Sequence, residues 1–261
     1  MIDTITIMTG FGRSGELEAV PRIDLKMGDV VSIVGPTGSG KTTFINDIEL
    51  FADANTQTGR RILINGERPP AEYRDDPARN PIALITQHTT FLSDLPVRQF
   101  LETHLRIRGT SKERAAEVLA RTMDFANQLT GEPIDPDNRM TELSGGQTRA
   151  LLIADATLVC DTPIVLLDEV ENAGINRTRA LELLREHRKI FIFVTHDPRI
   201  TLLSDYRIVM RKGAITSLVH TDEAERRCAG VVTRLDDALA RLREKIRSGE
   251  RVLGTELEAW A

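Results

Sequence analysis

Cysteine is nearly absent: Cys160 and Cys228 are the only two in 261 residues. So few, so far apart, give neither a disulfide framework nor metal-like cysteine spacing. Long apolar runs are missing too. The longest are stretches such as Ile190-Phe191-Ile192-Phe193-Val194, far below the roughly 20 residues that cross a bilayer, so no direct membrane insertion is expected. Met1-Ile2-Asp3-Thr4-Ile5-Thr6 lacks the basic start and apolar block of an export signal, which predicts a cytoplasmic chain. No sign of charge dominates: 34 Lys and Arg face 39 Asp and Glu, a net charge of −5, and nothing in that balance asks for nucleic acid. What is present is ordinary for a globular protein, 41% hydrophobic and 28% charged residues, enough to bury a core and to exclude disorder as the main state.

The first ninety residues read as strands and turns around one helix. Ile2–Met8 and Val30–Val34 are short, β-branched and bounded by Gly or polar residues, as strands are. A helix is expected over Thr42–Phe51, a hairpin turn at Asn65-Gly66 beside Arg61–Ile64, and a buried strand over Ile82–Thr86. From Val97 to Thr130 the period changes. Phe100, Leu101, Leu105 and Ile107, then Ala115, Val118, Leu119 and Met123, recur at three- and four-residue steps and predict amphipathic helices, with a start at Thr110-Ser111. Residues 91–143 thus read as a helical insert between two halves of one α/β core. Beyond it, helix 146–160, strand 164–167, helix 177–186, strand 190–195, helix 198–204 and strand 206–210 alternate, the pattern of a largely parallel sheet covered on both faces.

Gly35-Pro36-Thr37-Gly38-Ser39-Gly40-Lys41-Thr42, followed by Thr43, satisfies the whole G-x-x-x-x-G-K-[ST] pattern between a predicted strand and a predicted helix. Glycines let successive N–H groups turn inward into an anion-binding concavity, and the helix N-terminus adds partial positive charge. Lys41 supplies a point charge for the β- and γ-phosphates, and Thr42 offers its hydroxyl to Mg²⁺. The chain is expected to bind a nucleoside triphosphate. Downstream, the apolar run Ile164–Leu167 ends in Asp168-Glu169. Beside a phosphate loop, one carboxylate, Asp168, can hold hydrated Mg²⁺ while Glu169 activates the attacking water.

Leu143-Ser144-Gly145-Gly146-Gln147, with Ser144 placed 24 residues before Asp168, resembles the signature segment of ATP-binding cassette (ABC) ATPases. Val194-Thr195-His196-Asp197 is similar to that family's switch histidine, 28 residues after Asp168, and Ile85-Thr86-Gln87 to its glutamine loop. The resemblance covers about residues 1–220. It implies a P-loop NTPase core of the ABC type: a mostly parallel sheet, an antiparallel β portion and a helical subdomain over about 91–149, followed by a helical extension over 221–261. It further implies ATP and Mg²⁺ as cofactors, a metal shell of Thr42, Gln87 and Asp168, and His196 at the γ-phosphate and the water. Ser144, Gly145, Gly146 and Gln147 would close on nucleotide held by another protomer, so the expected partner is a second copy or a homologous ABC chain. Phe11 is the best-placed candidate for the adenine-stacking aromatic, or equally a core anchor. The chromosome-maintenance type of cassette is excluded, because only about a hundred residues with helix breakers separate Lys41 from Ser144.

Two features depart from the family. A Pro-Thr-Ser-Ala-Leu-Asp-like stretch usually follows the acidic pair, where this chain reads Val170-Glu171-Asn172-Ala173-Gly174-Ile175-Asn176. That variant, with Gln87–Leu92, resembles an unusual subgroup, part of which is similar to the soluble ATPase component that activates methyl-coenzyme M reductase. Phe91, Leu92, Leu95 and Val97 give the surface after Gln87 apolar content suited to a protein partner, either membrane permease subunits or a soluble client. In the first case the protein would sit peripherally on the inner face of the cell membrane. In the tail, Val232, Leu235, Leu239, Leu242 and Ile246 form one seam, expected to dock on the chain's own domain rather than to dimerise.

Overall fold

A computed structural model describes residues 2–169 and 177–252. Nine strands and eight helices occur among them: β1 (Thr4–Met8), β2 (Arg22–Lys26), β3 (Val30–Val34), α1 (Lys41–Glu49), β4 (Arg61–Ile64), α2 (Glu72–Asp75), β5 (Ile82–Thr86), α3 (Val97–Ile107), α4 (Lys112–Leu129), α5 (Gly145–Ala154), β6 (Ile164–Asp168), α6 (Arg177–Glu186), β7 (Ile190–Val194), α7 (Pro198–Leu203), β8 (Tyr206–Arg211), β9 (Ala214–His220) and α8 (Glu223–Arg247). They build two sheets, an antiparallel one in the order β2-β1-β4 and a larger one in the order β5-β6-β7-β3-β8-β9. The larger sheet is parallel except for the β8–β9 pair.

β6, β7 and β3 of the larger sheet are buried on both faces because both faces are covered there. Residues alternate strictly in destination. Ile164, Leu166, Ile190, Ile192, Val31 and Ile33 join the cluster around α1 and the antiparallel sheet, with Phe44, Ile45 and Ile62. Val165, Leu167, Phe191 and Phe193 join the cluster of the helical layer, with Leu101, Leu105, Met123 and Leu129. The helical insert therefore shares its core with the sheet.

Several expectations are corrected by packing. Ile107 ends the apolar series of α3 but is 74% exposed, because α3 stops there and Gly109 turns the chain with φ 75°. The helix expected to run to Cys160 is α-helical only to Ala154 and widens into a π turn over Asp155–Val159. β2 and β9 were not foreseen; β2 is a short alternating edge strand and β9 returns from a two-residue turn at Lys212-Gly213. The Asn65-Gly66 turn is present with both φ angles positive, but β4 pairs with β1, and Asn65 Oδ1 accepts from the N–H groups of Asp3 and Thr4. The tail forms α8 and docks mainly by its first half. Asp236 pairs with Arg199 at 2.9 Å, Glu225 with Arg207 at 2.8 Å and Arg226 with Asp205 at 2.9 Å. Its apolar seam is not covered as expected: Leu235, Leu239 and Ile246 stay 49%, 47% and 61% exposed. Residues 170–176, where the departure from the usual acidic-pair sequence falls, lie outside the described residues.

Candidate functional site

The register of the parallel sheet brings the chemistry together. Thr86 lies beside Asp168, Asp168 beside Val194, and Val194 beside Ile33. The carboxyl ends of β5, β6, β7 and β3 therefore share one edge, the place where open α/β sheets bind ligands. A cavity of 480 Å³ opens there, lined by Thr37–Thr43, Thr86, Gln87, Asp168, Glu169 and His196. Eleven expected site residues, Thr37–Thr43 with Gln87, Asp168, Glu169 and His196, thus meet at one place.

β3 delivers the phosphate loop and α1 receives it. Gly40, at φ 98°, forms the N-terminal boundary of α1 without a side-chain cap, which leaves the first N–H groups of the helix to a ligand. A Cβ at Gly40 would lie 2.8 Å from Gly213 Cα, so only glycine lets the loop pack on the β8–β9 turn. Lys41 is 7% exposed, and its Nζ donates to the carbonyls of Gly35 at 2.8 Å and Pro36 at 3.4 Å. Gly35 and Pro36 thus hold the lysine from behind. Ser39 Oγ is buried and has no hydrogen-bond partner among the described residues, an orphan that a phosphate oxygen would satisfy.

Glu169 leaves β6 with φ 50°, a conformation that costs a non-glycine residue about 1–3 kcal/mol. Its N–H donates to Val194 O at 3.0 Å, and its Oε1 lies 3.7 Å from His196 Nε2. Thr42, Gln87 and Asp168 line the same cavity, and each side chain carries oxygen, the donor type a hard cation such as Mg²⁺ takes. Phe11 sits in an adjoining recess of 180 Å³ with Gln57 and Thr58, which shares Arg13, Gly40 and Thr43 with the main cavity. It is 47% exposed, so it is a rim residue and not a core anchor.

Ser144–Gln147 do not line this cavity. Ser144 and Gly145 are exposed at the start of α5. Gln147, expected to face nucleotide, is turned inward: its Oε1 accepts from Ser144 N–H at 2.9 Å and its Nε2 donates to Pro133 O at 3.0 Å. With Ser144 Oγ accepting from Gln147 N–H, this is a capping box that fixes the helix start. Val97, one of four expected surface residues after Gln87, is fully buried, whereas Leu92 is 100% and Leu95 38% exposed. Phe91 packs edge-on against Phe100 at 5.0 Å.

Three contributions had no readable signal. Arg13 lines both cavities from a turn far from any motif. Arg149, on α5, donates to the Gln87 carbonyl and so ties the signature helix to the glutamine loop. Arg60 is fully buried, 2.6 Å from Glu18 and 2.8 Å from Asp47 of α1; it also donates to Gly213 O at 2.8 Å, bracing the turn on which Gly40 packs. A larger groove of 680 Å³ on the helical layer, bordered by Arg108, Arg114, Arg121 and Lys189, has neither phosphate-cradling glycines nor the acidic pair.

The ABC transporter family model matches residues 21–172. An uncharacterised ABC transporter ATP-binding protein of Methanocaldococcus jannaschii is 45% identical over 251 residues, covering 96% of this chain and 95% of the relative. A sulfate/thiosulfate import ATP-binding protein of Thermosynechococcus vestitus is 30% identical over 81% of this chain, which spans 62% of that relative. Among solved structures, a dimeric ATP-binding cassette in a post-hydrolysis state with ADP and phosphate superposes with a TM-score of 0.63 at 23% identity, over 84% of this chain and 99% of that one. A subunit of a Clostridium perfringens ABC transporter complex reaches 0.66 at 19% identity, over 95% and 100% of the two chains; at these identities the likeness is one of fold.

Proposed function

From the premise that the chain belongs to the ABC transporter ATP-binding family and is an ABC ATPase, we propose that it works as a head-to-tail pair, with a second copy or a homologous chain, that closes on two molecules of Mg-ATP and energises permease subunits carried on separate chains. One observation supports this most. The cavity holding the phosphate loop and Glu169 and the exposed start of α5 at Ser144-Gly145 are separate surfaces of one chain, so each supplies half of a composite site.

In this reading the N–H groups of residues 37–42 and Lys41 Nζ cradle the β- and γ-phosphates, and Phe11 stacks on the base. Thr42, Gln87 and Asp168 would hold Mg²⁺, which would neutralise phosphate charge when bound. Glu169 accepts a proton from the water that attacks the γ-phosphorus, the bond to the β-γ bridging oxygen breaks, and ADP and phosphate leave. His196, within 3.7 Å of Glu169, orients that carboxylate and meets the γ-phosphate. Ser144 and the N–H groups of Gly145 and Gly146 contact the γ-phosphate of the partner's nucleotide. The exposed Leu92 and Leu95, just beyond Gln87, offer an apolar edge where a permease segment docks, and Arg149 links that edge to α5. No described helix is long and apolar enough to cross a membrane, in keeping with permease subunits on other chains.

The test is Glu169→Gln. It should retain ATP affinity, lower turnover by about 10²–10⁴-fold, and trap an ATP-bound dimer visible by light scattering. A variant that stays monomeric at saturating ATP would overturn the composite site. The unusual Val170–Asn176 sequence favours a second reading, a soluble ATPase that remodels a client such as a metalloenzyme. Affinity capture from native cells separates the two: membrane subunits support transport, and a soluble enzyme replaces it.

A further inference from the structure

On the helical layer, away from the nucleotide cavity, three side chains of three donor types converge. His104 comes from α3, and Asp155 and Cys160 come from the π turn after α5 and the residue that follows it. One ligand atom from each lies within 4.8 Å of the others. Cys160 Sγ is 3.8 Å from His104 Nε2 and 3.6 Å from Asp155 Oδ2, and His104 Nδ1 is 2.8 Å from Asp155 Oδ1.

The π turn creates this convergence. At about 100° per residue an α-helix would set residues five apart about 140° around its axis, on nearly opposite faces. Here Cys160 N–H donates to Asp155 O at 2.9 Å, the i to i+5 bond of a π turn, and both side chains reach His104. Such widenings recur at functional sites. The side chains of His104 and Asp155 are 23% and 11% exposed, and Cys160 is half-buried. The cluster is sheltered but not sealed from solvent.

Tetrahedral zinc, with bonds of about 2.0–2.3 Å, sets its ligand atoms about 3.3–3.8 Å apart. The sulfur's separations from nitrogen and oxygen, 3.8 and 3.6 Å, are of that size. Imidazole, carboxylate and thiolate together suit a borderline-soft ion and not Mg²⁺ or Ca²⁺. We propose that His104, Asp155 and Cys160 form a binding site for a zinc-class divalent cation, with water in the fourth position. Bound there, the ion cross-links α3 of the helical insert to the segment that continues the signature helix. The Cys160 thiol and His104 give up their protons on binding, since the ligating forms are thiolate and neutral imidazole.

Titration of the chelator-treated full chain with Co²⁺ tests this. One equivalent should produce the near-ultraviolet thiolate-to-cobalt charge-transfer band, and Zn²⁺ should abolish it by displacement. The band should vanish in Cys160→Ser and in His104→Ala and persist in Cys228→Ser. Co²⁺ at the nucleotide cavity gives no such band, because no thiol lines it. Independently of any variant, Zn²⁺ should protect Cys160 from iodoacetamide in the unaltered protein while Cys228 still reacts. Absence of the band, its survival in Cys160→Ser, or alkylation of Cys160 unaffected by Zn²⁺ would overturn the site.

Discussion

Two glycine-containing helix starts in this chain do opposite things with the same backbone. At α1 the boundary residue is Gly40 and no side chain caps the helix, so its N–H groups face a cavity shared with carboxylates and a lysine. At α5 a capping box formed by Ser144 and Gln147 closes the start, and the surface around it is exposed. The first leaves donors for a ligand; the second spends part of its donor capacity on rigidity. In the proposed mechanism the unsatisfied donors of α1 receive phosphate, and the self-capped start of α5 is a preformed edge that meets nucleotide from outside.

That contrast can be broken from either side. The largest effect is expected behind the first helix. Arg60→Leu leaves Glu18 and Asp47 buried without their counter-charge and should destabilise the fold by about 3–5 kcal/mol, read as a lowered denaturant midpoint; a change below about 1 kcal/mol would show that the triad is not the brace it looks to be. Next comes Lys41→Ala, which removes a charge-assisted partner worth about 1.5–3 kcal/mol. ATP affinity should fall by about 10–150-fold with the fold intact, and unchanged affinity by calorimetry would contradict the cradle.

Smaller effects belong to the second start. Ser144→Ala removes the cap and should cost about 0.5–2 kcal/mol of stability while leaving ATP affinity of the isolated chain unaltered. A parallel loss of affinity would place α5 in the chain's own pocket. The least effect concerns pH. His187 packs edge-on against Phe125 of α4 at 5.1 Å, and burial first, then Lys189 and Arg121, hold its pKa below the ordinary value. The unfolded chain therefore binds the proton more readily, so stability is full above about pH 6.5 and declines as pH falls through that value. His187→Gln should flatten this part of the pH profile without touching nucleotide binding.

The phosphate loop was legible because one contiguous stretch must supply glycines, lysine and hydroxyl at fixed offsets. Asp168 was legible as a carboxylate ending an apolar run downstream of the phosphate loop, and His196 only through its resemblance to the family's switch histidine; the parallel register then sets the ends of their strands along one edge. Gln147 was misread in direction: a Gln at the third helical position reaches either outward or back to its cap, and Pro133 O decides for the cap. The seam of α8 was visible, but its covering was not, because docking depends on Arg199, Arg207 and Asp205 from other elements. Cys160 showed no metal-like spacing because its neighbours come from a different helix and from a π turn that periodicity cannot announce.

Local chemistry at fixed spacing and the alternation of apolar residues were enough to specify a triphosphate-binding α/β core with a helical insert, since backbone geometry ties those patterns to one conformation. Tertiary structure alone decided which charges are buried, as with Arg60, which helix ends remain open, and which distant side chains meet, as with His104 and Cys160. Those outcomes depend on contacts between segments far apart in the chain, where the cost of burying or pairing a group is set by neighbours that no local pattern names.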